Sequence, residues 1–276
     1  MSNPIVDQIE RFSRAYGRDL SVGGIHWRYY CLGTGPVLVW LTGGLRRAAY
    51  GFGFMEELAA RHTLIAPDYP PLKTAGSLVA GLDAILSAEG VQRFALGGQS
   101  YGGLMAQVYL SARPEKVERL ILSSTGPATY GRFAAFVDRL LAFLAGILPE
   151  RWVKGLLAGG LSKAISAPES ERAAWLEAVR HTFEHDLSRA DVVSHFAVAG
   201  DAFGGQVMRP EVLRSWPGRV VVLSAENDRT QGKSDLGRYE ALFGRPVEPL
   251  SMGTMGHTAA LVEPVRYAAL VEQALS

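Results

Sequence analysis

Three residues carry the chemistry this sequence could perform: Ser100, Asp228 and His257. Ser100 is the centre of Gly98-Gln99-Ser100-Tyr101-Gly102, between the short apolar run Phe94-Ala95-Leu96 and the helix-forming stretch Leu104 to Ala112. A strand that becomes a helix within one turn forces its central residue into a strained backbone. The glycines at 98 and 102 fit that turn because side chains there would collide with the neighbouring strand and helix. The serine hydroxyl is then held at the strand's carboxyl edge, beside the first free N–H groups of a helix. A neutral hydroxyl is a poor nucleophile at pH 7, so the reading requires a base and a group to orient it.

The chain has six histidines. His26 and His62 precede the serine turn, and His181, His185 and His195 fall in a helical stretch. His181 and His185 have the four-residue spacing of a helical metal pair. The intervening Thr182-Phe183-Glu184 carries no metalloprotease signature and the sequence offers no third ligand, so no metal is expected. His257 differs, lying in the glycine-flanked loop Met252-Gly253-Thr254-Met255-Gly256-His257-Thr258 between the last strand and the last helix. From there an imidazole can face Ser100. Asp228 follows the strand Val220 to Leu223 and is the expected orienting carboxylate; Glu226 is too close to the strand end and Asp235 reads as part of a polar loop. Acyl transfer also needs donors for a developing oxyanion. The N–H of Tyr101 is one, and Gly44, with Leu45 beside it, is the expected second.

The elements that must position these groups alternate. Ile5 to Tyr16 has the spacing of an amphipathic helix, and Ile25 to Leu32 alternates as a strand. Val37 to Leu41 is an unbroken apolar run of the kind buried on both faces of a parallel sheet. Helix, strand and helix follow over Phe54–Arg61, Thr63–Ala66 and about Thr74–Ala88, and further strands are expected at Leu120–Ser123, Arg219–Ser224 and Val247–Leu250. A helix closes the chain from about Pro264 to Leu275. This rhythm predicts an α/β protein with a mostly parallel, doubly wound sheet. From Tyr130 to about Gly205 only helical patterns occur. The expected organisation is a core domain over 1–127 and 206–276, with a helical cap inserted over 128–205.

At 276 residues and 48% hydrophobic, the chain can bury a substantial core. The net charge of +1, with no basic or acidic block, argues against capture of nucleic acid or anionic membrane. The lone Cys31 cannot form an internal disulfide and sits in an alternating apolar run, as a buried structural thiol would. Met1 to Glu10 has neither the basic start nor the apolar core of a secretory signal, and the longest apolar run, Leu140 to Leu148, is far short of a membrane span. A cytoplasmic protein is the expectation; the sequence leaves open whether it forms a homodimer.

Leu41-Thr42-Gly43-Gly44, Ala66-Pro67-Asp68-Tyr69-Pro70, Gly98-Gln99-Ser100-Tyr101-Gly102, Asn227-Asp228 and Gly256-His257 together resemble the α/β-hydrolase superfamily over nearly the whole chain. Two departures stand out. Many relatives have His-Gly where this chain has Thr42-Gly43, so a hydrogen bond that often braces the oxyanion loop must be made differently or is absent. Pro70-Pro71-Leu72-Lys73 replaces the Gly-x-Gly-x-Ser run that commonly follows the Asp68 loop. Asp68 itself is read as structural. The resemblance implies the α/β-hydrolase fold and no cofactor. Its carboxylate-nucleophile branches are excluded by Ser100.

The function expected from these residues is hydrolysis of a carboxylic ester or lactone of a small apolar metabolite through a Ser-His-Asp triad. Aromatic residues of the insertion, Phe133, Phe136 and Trp152, are candidate substrate contacts beside Leu45. Trp175 is read with them, and for all four aromatic residues the alternative to substrate contact is a place in the core of the cap. Two alternatives belong to other classes: a C–C bond hydrolase with the same triad, and a non-catalytic interaction protein similar to the maspardin-like branch. That branch loses triad residues, and this chain retains all three.

Overall fold

A computed structural model describes residues 3–129, 131–204, 207–232 and 234–276. Tyr130, Gly205 and Gln206, at the limits of the expected insertion, and Met1, Ser2 and Lys233 lie outside the described residues.

In chain order the strands are β1 (Gly17–Val22), β2 (Ile25–Leu32), β3 (Val37–Leu41), β4 (Thr63–Pro67), β5 (Phe94–Gln99), β6 (Val117–Ser123), β7 (Arg219–Ser224) and β8 (Glu248–Ser251). They form one eight-stranded sheet in the order β1-β2-β4-β3-β5-β6-β7-β8. β2 runs antiparallel to both neighbours, and every pairing from β4 through β8 is parallel. The helices are α1 (Pro4–Tyr16), α2 (Phe52–Leu58), α3 (Ala75–Ala88), α4 (Tyr101–Ala112), α5 (Gly131–Ile147), α6 (Glu150–Ala164), α7 (Glu169–His181), α8 (Arg189–Gly204), α9 (Pro210–Ser215), α10 (Asp235–Phe243), α11 (Ala259–Val262) and α12 (Pro264–Leu275).

Local chemistry starts and stops these elements. The Asn3 side chain accepts the N–H groups of Ile5 and Val6 and Pro4 opens α1, while the Thr74 hydroxyl accepts Ser77 N–H at the start of α3. Gly23 and Gly24, both at positive φ, make the tight turn of the β1–β2 hairpin. β1 was not expected from the sequence, because no residue of this edge strand is fully buried and its apolar alternation is limited to Leu20 and Val22, which pack half-buried on the core. Asp235 also differs from expectation: it opens α10, where its carboxylate accepts the Gly232 N–H at 2.8 Å. Cys31 is half-buried rather than fully enclosed.

One face of the sheet packs Val39, Leu96 and Leu122 against Leu78 and Leu82 of α3, Met105 of α4 and Tyr239 of α10. The other packs Leu38, Trp40 and Ile121 against Phe12 of α1, Met55 of α2 and Tyr267 of α12. Between Ser123 and Arg219 the described residues form helices α5 to α9 and no strand. Of these, α7 seats on the body through a smaller apolar cluster that joins Trp175, Ala178 and Val179 to Leu45, Tyr50 and Val262. Trp175 is buried there, stacked on Phe52 with planes 11° apart.

The register aligns the carboxyl ends that matter. Leu41 pairs with Gly98, Gln99 with Ser123, Ser123 with Leu223, and Ser224 with Ser251. The loops after β3, β5, β6, β7 and β8 therefore open on a single edge, where open α/β sheets bind ligands.

Candidate active site

Ser100 follows β5 directly and has φ 54° and ψ −119°. The space around it permits little else. A Cβ on Gly98 would lie 2.4 Å from the Gly102 carbonyl oxygen, and one on Gly102 would lie 1.9 Å from the Leu41 carbonyl oxygen. The first contact presses the strand against its own helix, and the second presses that helix against the end of β3. Among the described residues two other non-glycine residues hold positive φ, Arg46 at 61° and Ser124 at 49°. One follows β3 and the other β6, so all three lie at the same sheet edge. Such clustering of backbone strain is common at functional sites.

The structure brings Ser100, His257 and Asp228 into one hydrogen-bonded chain. His257 Nε2 lies 3.1 Å from Ser100 Oγ, and His257 Nδ1 lies 3.0 Å from Asp228 Oδ2. With the Nδ1 proton donated to Asp228, the Nε2 lone pair faces the serine hydroxyl. Burial of Asp228 would raise its pKa. The hydrogen bond and charge of His257, with the hydroxyl and N–H of Thr230, outweigh that and hold the carboxyl down to about 2. It is therefore ionised at neutral pH.

Thr230, which the sequence reading passed over, braces this arrangement. Its hydroxyl donates to Asp228 Oδ1 at 2.7 Å and lies 2.9 Å from His257 Nδ1, and its N–H reaches the same Asp228 oxygen at 2.9 Å. The signal was present: Asp followed two residues later by Thr is an Asx-turn pattern. Gln99, the second residue of the serine turn, fixes the histidine loop by donating from Nε2 to His257 O at 2.9 Å.

On the opposite side, Tyr101 is the first residue of α4, so its N–H has no acceptor within the helix. Gly44 and Leu45 line the same cavity, in the loop after β3. The bracing that Thr42 cannot give as a histidine would comes from neighbours. Tyr69 OH donates to Thr42 O at 2.9 Å, Arg46 N–H donates to Gly43 O at 3.0 Å, and Ala48 N–H donates to Asp68 Oδ1 at 2.6 Å. Buried Arg46 in turn donates from Nη2 to Pro70 O and Ser194 Oγ, at 2.8 and 3.0 Å.

The cavity above Ser100 has a volume of about 350 Å³. Leu45, Tyr50, Leu104, Leu161 and Leu261 supply apolar wall, and Ser124 and His195 supply polar atoms. His195, on α8, was missed because histidine spacing alone gave it no partner. Burial first, and then the charge of Arg46, push its pKa down to about 3, so its imidazole is neutral.

Three expected substrate contacts are corrected. Phe133, Phe136 and Trp152 are 79%, 61% and 62% exposed and none lines this cavity. Helical spacing placed the two phenylalanines on one stripe of α5 but could not say which way the stripe faces. α5 buries Ala135, Ala142 and Ala145 instead.

Comparison with known proteins gives the family and the fold. A proline iminopeptidase from Lactobacillus helveticus is 32% identical over 105 residues, a match covering 33% of this chain and 36% of the peptidase. The chain thus spans about a third of that relative's length. Two solved structures share the fold: a thermophilic esterase from Thermogutta terrifontis with malate bound (TM-score 0.74, 18% identity, 95% and 98% of the two chains) and the enol-lactonase from Burkholderia xenovorans LB400 (TM-score 0.72, 18% identity, 94% and 99%). The model of the alpha/beta hydrolase family matches residues 37–270, a span that includes the serine turn, Asp228 and His257, and the chain belongs to that family.

Proposed function

We propose that this chain is a serine hydrolase that cleaves a carboxylic ester or lactone of a small apolar molecule through an acyl-enzyme. The observation that carries the reading is the 3.1 Å approach of His257 Nε2 to Ser100 Oγ inside a walled cavity, with Asp228 ionised behind the imidazole. Ser100 Oγ attacks the substrate carbonyl as His257 takes its proton. The tetrahedral oxyanion is held by the N–H groups of Tyr101 and Gly44. Collapse expels the alkoxide, which takes the proton from His257. Water, deprotonated by the same imidazole, then attacks the acyl-enzyme and releases the acid and Ser100.

A volume of about 350 Å³ suits a small substrate, and the leucines lining it suit an apolar acyl or ring. The helical stretch 128–205 acts as a cap, with Leu161 of α6 and His195 of α8 reaching over the site. Among the described residues no helix is long and apolar enough to cross a membrane. The unpaired thiol of Cys31 suits the reducing cytoplasm.

A fluorophosphonate probe tests the proposal. The intact protein is expected to be labelled at Ser100 and to hydrolyse short p-nitrophenyl esters, and Ser100→Ala is expected to lose both without a change in melting temperature. Absence of labelling together with absence of turnover on esters and lactones would overturn it in favour of a non-catalytic interaction protein.

A further inference from the structure

Helix α5 turns its small side chains inward and its large ones outward. Ala135, Ala142 and Ala145 are buried, and the facing helix α8 offers Gly200 and Gly204, where an added Cβ would meet atoms of Ala135 and Arg139 within 3.1 Å. On the outside run Phe133, Phe136, Leu140, Phe143 and Ile147, exposed at 79%, 61%, 44%, 62% and 61%. Their spacing of three, four, three and four residues keeps them in one stripe about 80° wide at 3.6 residues per turn. Leu141 and Leu148 widen it, and Trp152 and Leu156, one turn apart on α6, are exposed at 62% and 79%. At roughly 200 Å² for a fully exposed aromatic ring, and somewhat less for an aliphatic side chain, these groups leave about 1,000 Å² of apolar surface open. Folded monomers rarely leave so much contiguous apolar area to water.

We propose that this face is the interface of a homodimer, in which α5 of one copy packs antiparallel against α5 of a second across a two-fold axis near Leu140. Three features select a second copy over other occupants. The first is width. The three-four spacing at the centre of the face, Phe133 to Ile147, is the seam that one facing helix fills by knobs-into-holes packing, with Leu141 and Leu148 at its flank. A helix lying on a lipid surface turns a strongly charged opposite face to water, whereas the opposite face of α5 is packed on α8 through Ala135 and Arg139.

The second is symmetry. Leu140 stands midway between Phe133 and Ile147, so the stripe reads nearly the same in both directions. A two-fold axis there sets Phe133 of one copy against Ile147 of the other, and Phe136 close to Phe143, which is the self-complementary pattern of an isologous contact. No charged side chain interrupts the stripe, so two identical copies oppose no like charges at its centre. The third is area. A standard interface covers about 800 Å² on each partner, close to what α5 and the start of α6 leave open.

Sedimentation of the full chain tests this without reference to turnover. The wild type is expected to run at twice its 29.8 kDa mass at micromolar concentration. The double variant Phe136→Glu/Phe143→Glu is expected to run as a monomer, with its circular dichroism unchanged because both sites face solvent within one copy. In a Cys31→Ser background, Leu140→Cys is expected to oxidise to a covalent dimer, since disulfides need Cα atoms within about 7 Å. Ile147→Cys alone, two helical turns from the axis, is not. A wild type that sediments as a monomer, whether or not it floats with phosphatidylglycerol vesicles, overturns the proposal. So does a dimer that survives the double glutamate variant, or one in which Leu140→Cys fails to cross-link.

Discussion

The imidazole of His195 stacks on the phenol ring of Tyr101, with centroids 4.1 Å apart and planes 27° apart. Helix α8, which enters the chain between β6 and β7, thus touches the residue immediately after the candidate nucleophile. His195 Cε1 is also 3.7 Å from where a Cβ on Gly44 would stand. One side chain of the helical insertion therefore lies against both residues whose N–H groups are proposed to hold the oxyanion. A neutral imidazole in that place offers one donor and one acceptor to a bound ester.

Replacing His195 separates its two contributions. His195→Phe keeps a ring on Tyr101 and removes the polar atoms; His195→Ala removes both. We expect kcat/KM to fall about ten-fold in His195→Phe, the loss of one hydrogen bond to substrate, and further in His195→Ala. The pH–rate profile across the neutral range should keep its shape in both variants, because burial and Arg46 push the His195 pKa down to about 3. A limb of the profile that shifts near neutrality would show that His195 titrates there and would sink this role.

The parts legible in the sequence were those with a local signal. The serine turn announces itself because two close backbone approaches demand glycine at 98 and 102. The buried parallel strands β3, β6 and β7 are visible as apolar runs. β1 was invisible because its apolar alternation is only two residues long, Leu20 and Val22, and α10 because its opening residues read as a polar loop. The orientation of α5 was lost for a different reason. Periodicity identifies a stripe, but which side faces inward is decided by the packing on α8, where Gly200 and Gly204 let Ala135 and Arg139 of α5 approach closely. His195 and Thr230 reach the site through contacts between segments far apart in the chain or through a two-residue turn, and neither leaves a periodic trace.

Thr230 is a positioning residue, and its hydroxyl can be tested apart from its backbone. Thr230→Val removes the 2.7 Å bond to Asp228 and leaves the turn's N–H contact in place. A hydrogen bond to a charged group contributes about 1.5–3 kcal/mol, so kcat is expected to drop roughly ten-fold or more with little change in KM. Thr230→Ser should restore most of the rate. Equal losses in the serine and valine variants would mean that shape rather than the hydroxyl matters.

Gly102→Ala probes the strain at the serine turn. The new Cβ would fall 1.9 Å from the Leu41 carbonyl oxygen and 2.4 Å from that of Thr42, both backbone atoms that cannot swing aside. α4 must then move off β3, carrying Tyr101 N–H away from the loop that holds Gly44. The expected result is loss of probe labelling at Ser100 together with a lower melting temperature. Gly237→Ala, on α10 with open space around its Cβ position, serves as the control and should be neutral or mildly stabilising. A Gly102→Ala protein that melts and labels like the wild type would refute the close-approach argument.

The depressed pKa of Asp228 makes a prediction about acid stability with a definite sign. Its folded-state value, about 2, lies below the ordinary carboxyl value of 3.8, so between these the folded protein binds fewer protons than the unfolded chain. The stabilisation is fully present above the unfolded value and is lost as pH falls through it toward 2. Each pKa unit corresponds to about 1.4 kcal/mol, so the contribution at stake is on the order of 2 kcal/mol. Asp228→Asn cannot ionise, and its unfolding free energy, measured in urea at successive pH values, should therefore fall less steeply than the wild type's on acidification through this window. At neutral pH the same variant loses the charge that orients His257, so turnover should drop by roughly 10³–10⁴ while Ser100 and the fold remain. Parallel pH–stability curves for the two proteins would show that Asp228 is not held in its ionised form by His257 and Thr230, and the proposed orienting role would go with it.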